Sequence, residues 1–262
     1  MFLARTKDLT AKYGERTILD GVSLDLIKGE IICILGGSGC GKTTLLKHYI
    51  GLLRPSSGSV ELFGKDWWSL DEPEREAAQQ KIGVLFQAGA LLGSKTLATN
   101  VGIPLEMHTN LSEAVIERVV RLKLHQVGLD HAANRLPSEL SGGMRKRAAL
   151  ARAIALDPEL LFCDEPSAGL DPPTSQQLDS LLLNLRDGLG ITVVVVTHEI
   201  ASIKRIADRI AFLDKGKLIY AGPLQKALDE GIKPVVEFFN AEGKPKQESK
   251  KNGNEFRPYK AE

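Results

Sequence analysis

Apolar residues recur along this chain with two different periods, and the change of period divides it. Leu3 to Leu9 and Ile18 to Leu26 carry partial alternation that predicts strands, with Tyr13-Gly14 and Asp20-Gly21 as turn signals. Ile31-Ile32-Cys33-Ile34-Leu35 is apolar and branched without a break, as in a parallel strand covered on both faces. Gly58 to Gly64 and Ile82 to Phe86 add two short strands. From about Thr96 to Ala155 the pattern turns helical, and Ser112 to Val127 presents Val115, Val119, Leu122 and Leu124 as an amphipathic face. Strands return at Leu160 to Cys163, Ile191 to Val196 and Arg209 to Leu213. Val193-Val194-Val195-Val196 suits the centre of a sheet. The prediction is a mixed α/β core with a helical block inserted at about 90–158. Lys244 to Glu262 is polar, lysine-rich and poor in apolar residues, which separates a unit at 1–240 from an extension at 241–262.

At 262 residues the chain is long enough for one compact unit, or for a core with a subdomain. Lys and Arg number 34 against 33 Asp and Glu, so no global field draws the chain to nucleic acid, and no nucleic-acid partner is expected. There is no apolar run of 18 residues, and Met1-Phe2-Leu3 soon meets Arg5, Lys7 and Asp8, so no secretory signal is expected. The chain is expected not to cross a membrane by itself. Cys33, Cys40 and Cys163 are an odd number without CxxC spacing, which fits a reducing compartment and argues against disulfides or a zinc site.

One string adds chemistry to this pattern. Gly36-Gly37-Ser38-Gly39-Cys40-Gly41-Lys42-Thr43 fits G-x-x-x-x-G-K-[ST], with an apolar strand before it and a helical pattern from Thr43-Thr44 after it. Strand, glycine loop and helix make a phosphate cradle: glycines turn backbone N–H groups inward, and the helix start adds partial positive charge. Lys42 is expected to reach the β- and γ-phosphates as a point charge, and the Thr43 hydroxyl to ligate Mg²⁺. The implied ligand is a nucleoside triphosphate such as ATP. Cys40 lies at this helix start, two residues from Lys42, and both features predict a thiolate open to alkylation.

A second constellation follows at strand ends. Leu160-Leu161-Phe162-Cys163-Asp164-Glu165 closes an apolar strand on two carboxylates, at the edge where α/β sheets place ligands. Beside a phosphate loop, Asp164 suits holding Mg²⁺ through water and Glu165 suits activating an attacking water. A histidine at a sheet's carboxyl edge can merely cap the next helix, but His198, in Thr197-His198-Glu199 after Val193 to Val196, would face the same crevice, which favours contact with the γ-phosphate.

These strings together resemble the ATP-binding subunit of ABC transporters, over roughly residues 3–240. Leu140-Ser141-Gly142-Gly143-Met144 resembles the family's signature, with Met where Gln is usual. Ser167-Ala168-Gly169-Leu170-Asp171 resembles its D-loop, Gln87 its Q-loop residue that meets the metal and the attacking water, and His198 its switch histidine. Tyr13 lies where the family places an aromatic that stacks on adenine. The resemblance implies a P-loop NTPase-like, RecA-type α/β core with an antiparallel β-subdomain and an inserted α-helical signature subdomain. Ser141 also reads as an N-cap, so its helix start is a second anion site. The resemblance resolves this duplication: a second copy of the chain packs head to tail, and Ser141-Gly142-Gly143 of one copy close over the phosphate loop of the other.

Within the family, Phe86-Gln87-Ala88-Gly89-Ala90-Leu91-Leu92 and the run Ser138 to Ile154 are most similar to the ATPases of Mla-type lipid transporters. That implies integral-membrane permease subunits, an MCE-domain protein and a small STAS-domain protein as partners. It also implies phospholipid as cargo, and a seat on the cytoplasmic face of the inner membrane. The alternatives are the ATPase of a small-solute importer or lipoprotein-release system, or a non-transport ABC ATPase such as an iron–sulfur assembly protein. Pro234 to Phe239 is a short apolar stretch followed by a polar spacer and Phe256-Arg257-Pro258-Tyr259, a layout that predicts a docking segment.

Overall fold

The computed structural model describes residues 1–241. The chain runs through β1 (Phe2–Tyr13), β2 (Arg16–Ile27), β3 (Ile31–Leu35), α1 (Lys42–Tyr49), β4 (Ser57–Leu62), β5 (Lys65–Asp66) and α2 (Glu72–Gln79). It continues through β6 (Ile82–Leu85), α3 (Leu97–His108), α4 (Glu113–Gln126), α5 (Gly142–Ala153), β7 (Leu160–Asp164) and α6 (Pro172–Leu189). The described part closes with β8 (Thr192–Val196), α7 (Ile200–Ile206), β9 (Arg209–Asp214), β10 (Lys217–Gly222), α8 (Leu224–Asp229) and α9 (Lys233–Ala241).

Two sheets carry the fold, one in the order β10-β9-β3-β8-β7-β6 and the other β2-β1-β4-β5. In the first, β9, β3, β8, β7 and β6 pair parallel, and β10 is antiparallel at the edge. The continuous apolar runs thus become strands buried on both faces. Ile31, Cys33, Leu161, Cys163, Val193 and Val195 face the core shared with α5 and α6. Ile32, Ile34, Phe162, Val194 and Val196 face α1 and the second sheet, where Tyr49 stacks on Phe162 at 5.9 Å. The second sheet is the expected antiparallel subdomain, and α3 to α5 lie between β6 and β7 as the helical insertion.

Three sequence expectations change here. Asp20-Gly21 is not a turn: β2 runs through it, the pairing slips between Leu9↔Val22 and Ala11↔Leu19, and Gly21 takes φ 63° at the bulge. The buried face of α4 is rotated, with Val120, Lys123 and Leu124 inside while Val115 and Leu122 are exposed. The reason is Lys123, whose stem is buried and whose ammonium pairs with Asp157, so a residue counted as polar occupies a core position. The stretch Pro234 to Phe239 forms part of α9 and is core, with Val235 and Phe239 buried and Phe238 edge-on to Phe212 at 5.6 Å. The spacer and Phe256-Arg257-Pro258-Tyr259 lie outside the described residues. No described helix is long and apolar enough to cross a membrane.

Candidate active site

The parallel strands all end on one edge of the sheet, and the residues picked out in the sequence gather there. The glycine loop leaves β3 and enters α1, with Gly36, Gly39 and Gly41 at φ 143°, 75° and 106°. Gly36 admits no side chain, since a Cβ there would overlap the Leu213 carbonyl oxygen and come within 2.6 Å of Cys40 Sγ. Lys42 Nζ donates to the carbonyls of Gly36 at 2.8 Å and Gly37 at 3.1 Å, which holds the ammonium over the loop. A cavity of about 290 Å³ opens beside it, lined by Gly39, Gly41, Lys42, Thr43 and Thr44 and, from β2, by Arg16 and Ile18. Tyr13 is the register partner of Arg16 across the hairpin and is 54% exposed.

Cys40 corrects an expectation. It is buried beneath the loop, and burial pushes its thiol pKa up, outweighing the opposite pull of Lys42. The neighbouring cation raises acidity only where solvent or partners also stabilise the thiolate, and here desolvation is the larger effect. Cys33 and Cys163 are likewise buried and shifted upward by desolvation.

Asp164 ends β7 and is buried, and Thr43 Oγ1 donates to its Oδ1 at 3.5 Å. Burial raises the Asp164 pKa, and the adjacent Glu165 charge raises it further. A desolvated carboxylate next to a second one gains from a cation. Among the described residues, no group of three or more His, Cys, Asp and Glu is arranged to hold a metal. The Thr43 and Asp164 oxygens fit Mg²⁺, which takes one or two protein oxygens and fills its octahedron with phosphate and water.

Glu165 sits at φ 48°, an unusual conformation for a residue with a side chain. Its N–H donates to the Val196 carbonyl at 2.8 Å, and its carboxylate oxygen Oε1 lies 2.9 Å from His198 Nδ1. The two residues proposed from separate strand ends therefore touch. Gln87 follows β6, and its carbonyl accepts from Lys146 Nζ at 2.5 Å. Ser141 caps α5 as expected, its Oγ accepting from the Met144 N–H at 3.2 Å. Gly142 and Gly143 face Leu170 and Thr174 at the start of α6, on different elements from the phosphate loop.

Arg16, Ile18 and Lys146 were not among the residues singled out by sequence. Arg16 lies in an ordinary strand pattern, and Lys146 in a basic run, Arg145-Lys146-Arg147, that reads as a solvated helix face.

Comparison with known proteins shows the family. The family described as ABC transporter matches residues 19–168. The intermembrane phospholipid transport system ATP-binding protein MlaF of Haemophilus influenzae is 42% identical over 240 residues, covering 92% of this chain and 91% of that protein. The methionine import ATP-binding protein MetN of Brucella abortus is 39% identical over 235 residues, which is 90% of this chain but 63% of that protein. Among solved structures, a dimeric ATP-binding cassette in a post-hydrolysis state with ADP and Pi superposes with a TM-score of 0.77 and 32% identity, covering 84% of this chain and 98% of that one.

Proposed function

The chain belongs to the ABC transporter family, and from that premise we propose that it is the ATP-binding and ATP-hydrolysing subunit of a transporter that moves phospholipid in a bacterial envelope. One observation carries the chemistry. Thr43, Asp164, Glu165 and His198, drawn from three separate strand ends, meet at one sheet edge beside a phosphate loop. In this reading the loop from Gly36 to Thr44 binds the triphosphate and Lys42 releases its carbonyl contacts to meet phosphate oxygens. Thr43, Asp164 and Gln87 hold Mg²⁺, which when bound neutralises charge developing on the phosphates. Glu165 takes the proton of the attacking water as the bond from the γ-phosphorus to the bridging oxygen breaks, giving ADP and inorganic phosphate. His198, held by Glu165, supplies a donor to the γ-phosphate. Tyr13 stacks on the adenine.

Further parts of the proposal concern assembly. Residues 1–240 form the nucleotide-binding domain, with the signature-bearing helices at about 90–158. As the family resemblance implies, Ser141, Gly142 and Gly143 would serve the nucleotide site of a second copy packed head to tail. The dimeric state of the cassette bound to ADP and Pi supports that arrangement. Integral-membrane permease subunits would seat the pair on the cytoplasmic face of the inner membrane, with MCE-domain and STAS-domain proteins completing the complex.

Phospholipid is favoured over a small solute by the full-length similarity to the phospholipid-system protein, and by Gln87-Ala88-Gly89-Ala90 and Met144 in the two loops. The test is reconstitution of the chain with its co-purifying membrane proteins in liposomes, following ATP hydrolysis and transfer of a labelled phospholipid. Hydrolysis should rise with transferable lipid and transfer should require ATP. Stimulation by a solute-loaded binding protein, with no lipid transfer, would replace this reading with an importer.

A further inference from the structure

Lys146 occupies a position that its neighbours in α5 do not. It is buried, and its ammonium donates to two backbone carbonyls, that of Gln87 at 2.5 Å and that of Glu165 at 3.2 Å. Those carbonyls come from the segments that leave β6 and β7, which pair in register through Leu85↔Cys163. Six residues further along the helix, Arg152 donates to the carbonyls of Gly89 at 3.0 Å and Ala90 at 2.8 Å. The helix whose start is capped by Ser141 thus grips the loop at 87–90 through three carbonyls. Only Lys146 also reaches Glu165.

We infer that Lys146 is a positioning residue for ATP hydrolysis, tying the signature helix to the backbones of Gln87 and Glu165 at once. The inference rests on the reading of Glu165 as the base that activates water. At positive φ, Glu165 donates its N–H to the Val196 carbonyl, and its own carbonyl accepts from the Ala168 N–H at 3.2 Å and from Lys146, the latter bond tying it to α5. A carbonyl fixed by an ammonium restricts rotation of the peptide that sets where the carboxylate points. The same ammonium fixes the peptide of Gln87. Any movement of α5, such as one that brings Ser141 to a second copy's nucleotide, is therefore delivered to both residues through one atom. A lysine kept only for stability is a poor explanation, because its ammonium is buried against two neutral carbonyls rather than against a carboxylate.

The experiment compares Lys146→Met, Lys146→Arg and Lys146→Leu in the full chain, purified with the membrane proteins it assembles with. Lys146→Met keeps side-chain length and removes the donors, and kcat should fall on the order of tenfold to a hundredfold while KM for ATP changes less than about twofold. Its thermal midpoint should be equal to or above that of the natural chain. Lys146→Arg, which restores a cationic donor, should recover most of the rate. In a Glu165→Gln background Lys146→Met should cost almost nothing more, since both act through the same water. A kcat for Lys146→Met within about twofold of the natural chain, or an equal loss in the Glu165→Gln background, overturns the inference. If Lys146→Met does not fold, Lys146→Leu, which also lacks a donor, is judged by the same criteria. Normal turnover by Glu165→Gln alone would instead remove the base assignment, a separately readable failure.

Discussion

Replacing Glu165 by Gln changes one atom at the centre of the proposed chemistry and leaves its surroundings nearly intact. The amide oxygen of Gln can keep the contact that Glu165 Oε1 makes with His198 Nδ1 at 2.9 Å. The backbone ties, from Glu165 N–H to Val196 and from Lys146 to the Glu165 carbonyl, do not involve the side chain. The fold and the positive φ should therefore survive. What disappears is the base. Loss of a positioned general base costs about 10²–10⁴-fold in rate, or roughly 3–5 kcal/mol in the barrier. Binding should move the other way. The Glu165 charge is one cause of the raised Asp164 pKa, after burial, so removing it lets Asp164 ionise at lower pH. The Thr43 and Asp164 oxygens and the glycine loop are unchanged, and a negative charge that repels the γ-phosphate is gone, so MgATP is held at least as well. Glu165→Gln should thus bind MgATP with equal or higher affinity, hydrolyse it about 10²–10⁴-fold more slowly, and accumulate as a closed dimer on size-exclusion chromatography with ATP. Turnover within about threefold of the natural chain would refute the base assignment. A slow variant with proportionately weakened MgATP binding would refute the argument that Glu165 acts only in the transition state.

Two further outcomes follow from the loop. Gly36→Ala places a Cβ at φ 143° against the Leu213 carbonyl, so it should lower stability by more than about 1 kcal/mol and weaken MgATP binding; an unchanged thermal midpoint would contradict the packing described. Cys40, with its thiol pKa raised by burial, should react with iodoacetamide far more slowly than free cysteine at neutral pH, and faster as pH rises or when the chain is denatured. Rapid labelling of the native chain at neutral pH would show the thiol to be accessible and ionised.

Much of the candidate site is legible in the sequence because its chemistry is made by contiguous residues. A glycine loop that aims its own N–H groups, a serine that caps the next turn and a carboxylate pair at a strand tip are each written within a few positions. The edge on which they meet is legible too, since unbroken apolar runs such as Val193 to Val196 predict parallel strands, whose ends converge. The face of α4 was read wrongly for a specific reason. Periodicity sorts residues by type, and Lys123 is a polar type with an apolar stem, buried because Asp157 waits for its ammonium. Cys40 shows the same limit in reverse. Neighbours in sequence announced a cation and a helix start, but Leu213 and Gly36, which crowd the loop around it, belong to the folded packing.

By itself, then, the sequence determined the alternation of strands and helices, the phosphate loop, the cap at Ser141 and the identity of the acidic pair. Only the tertiary structure decided that His198 touches Glu165, that Arg16 and Ile18 line the phosphate cavity, and that Lys146 joins Gln87 to Glu165. The physical reason is that a long cation reaches whichever carbonyls the fold brings within its range, here that of Gln87 and that of Glu165, which also accepts from the Ala168 N–H. Those carbonyls exist as a pair only once β6 and β7 lie in register, which no local pattern around Lys146 records.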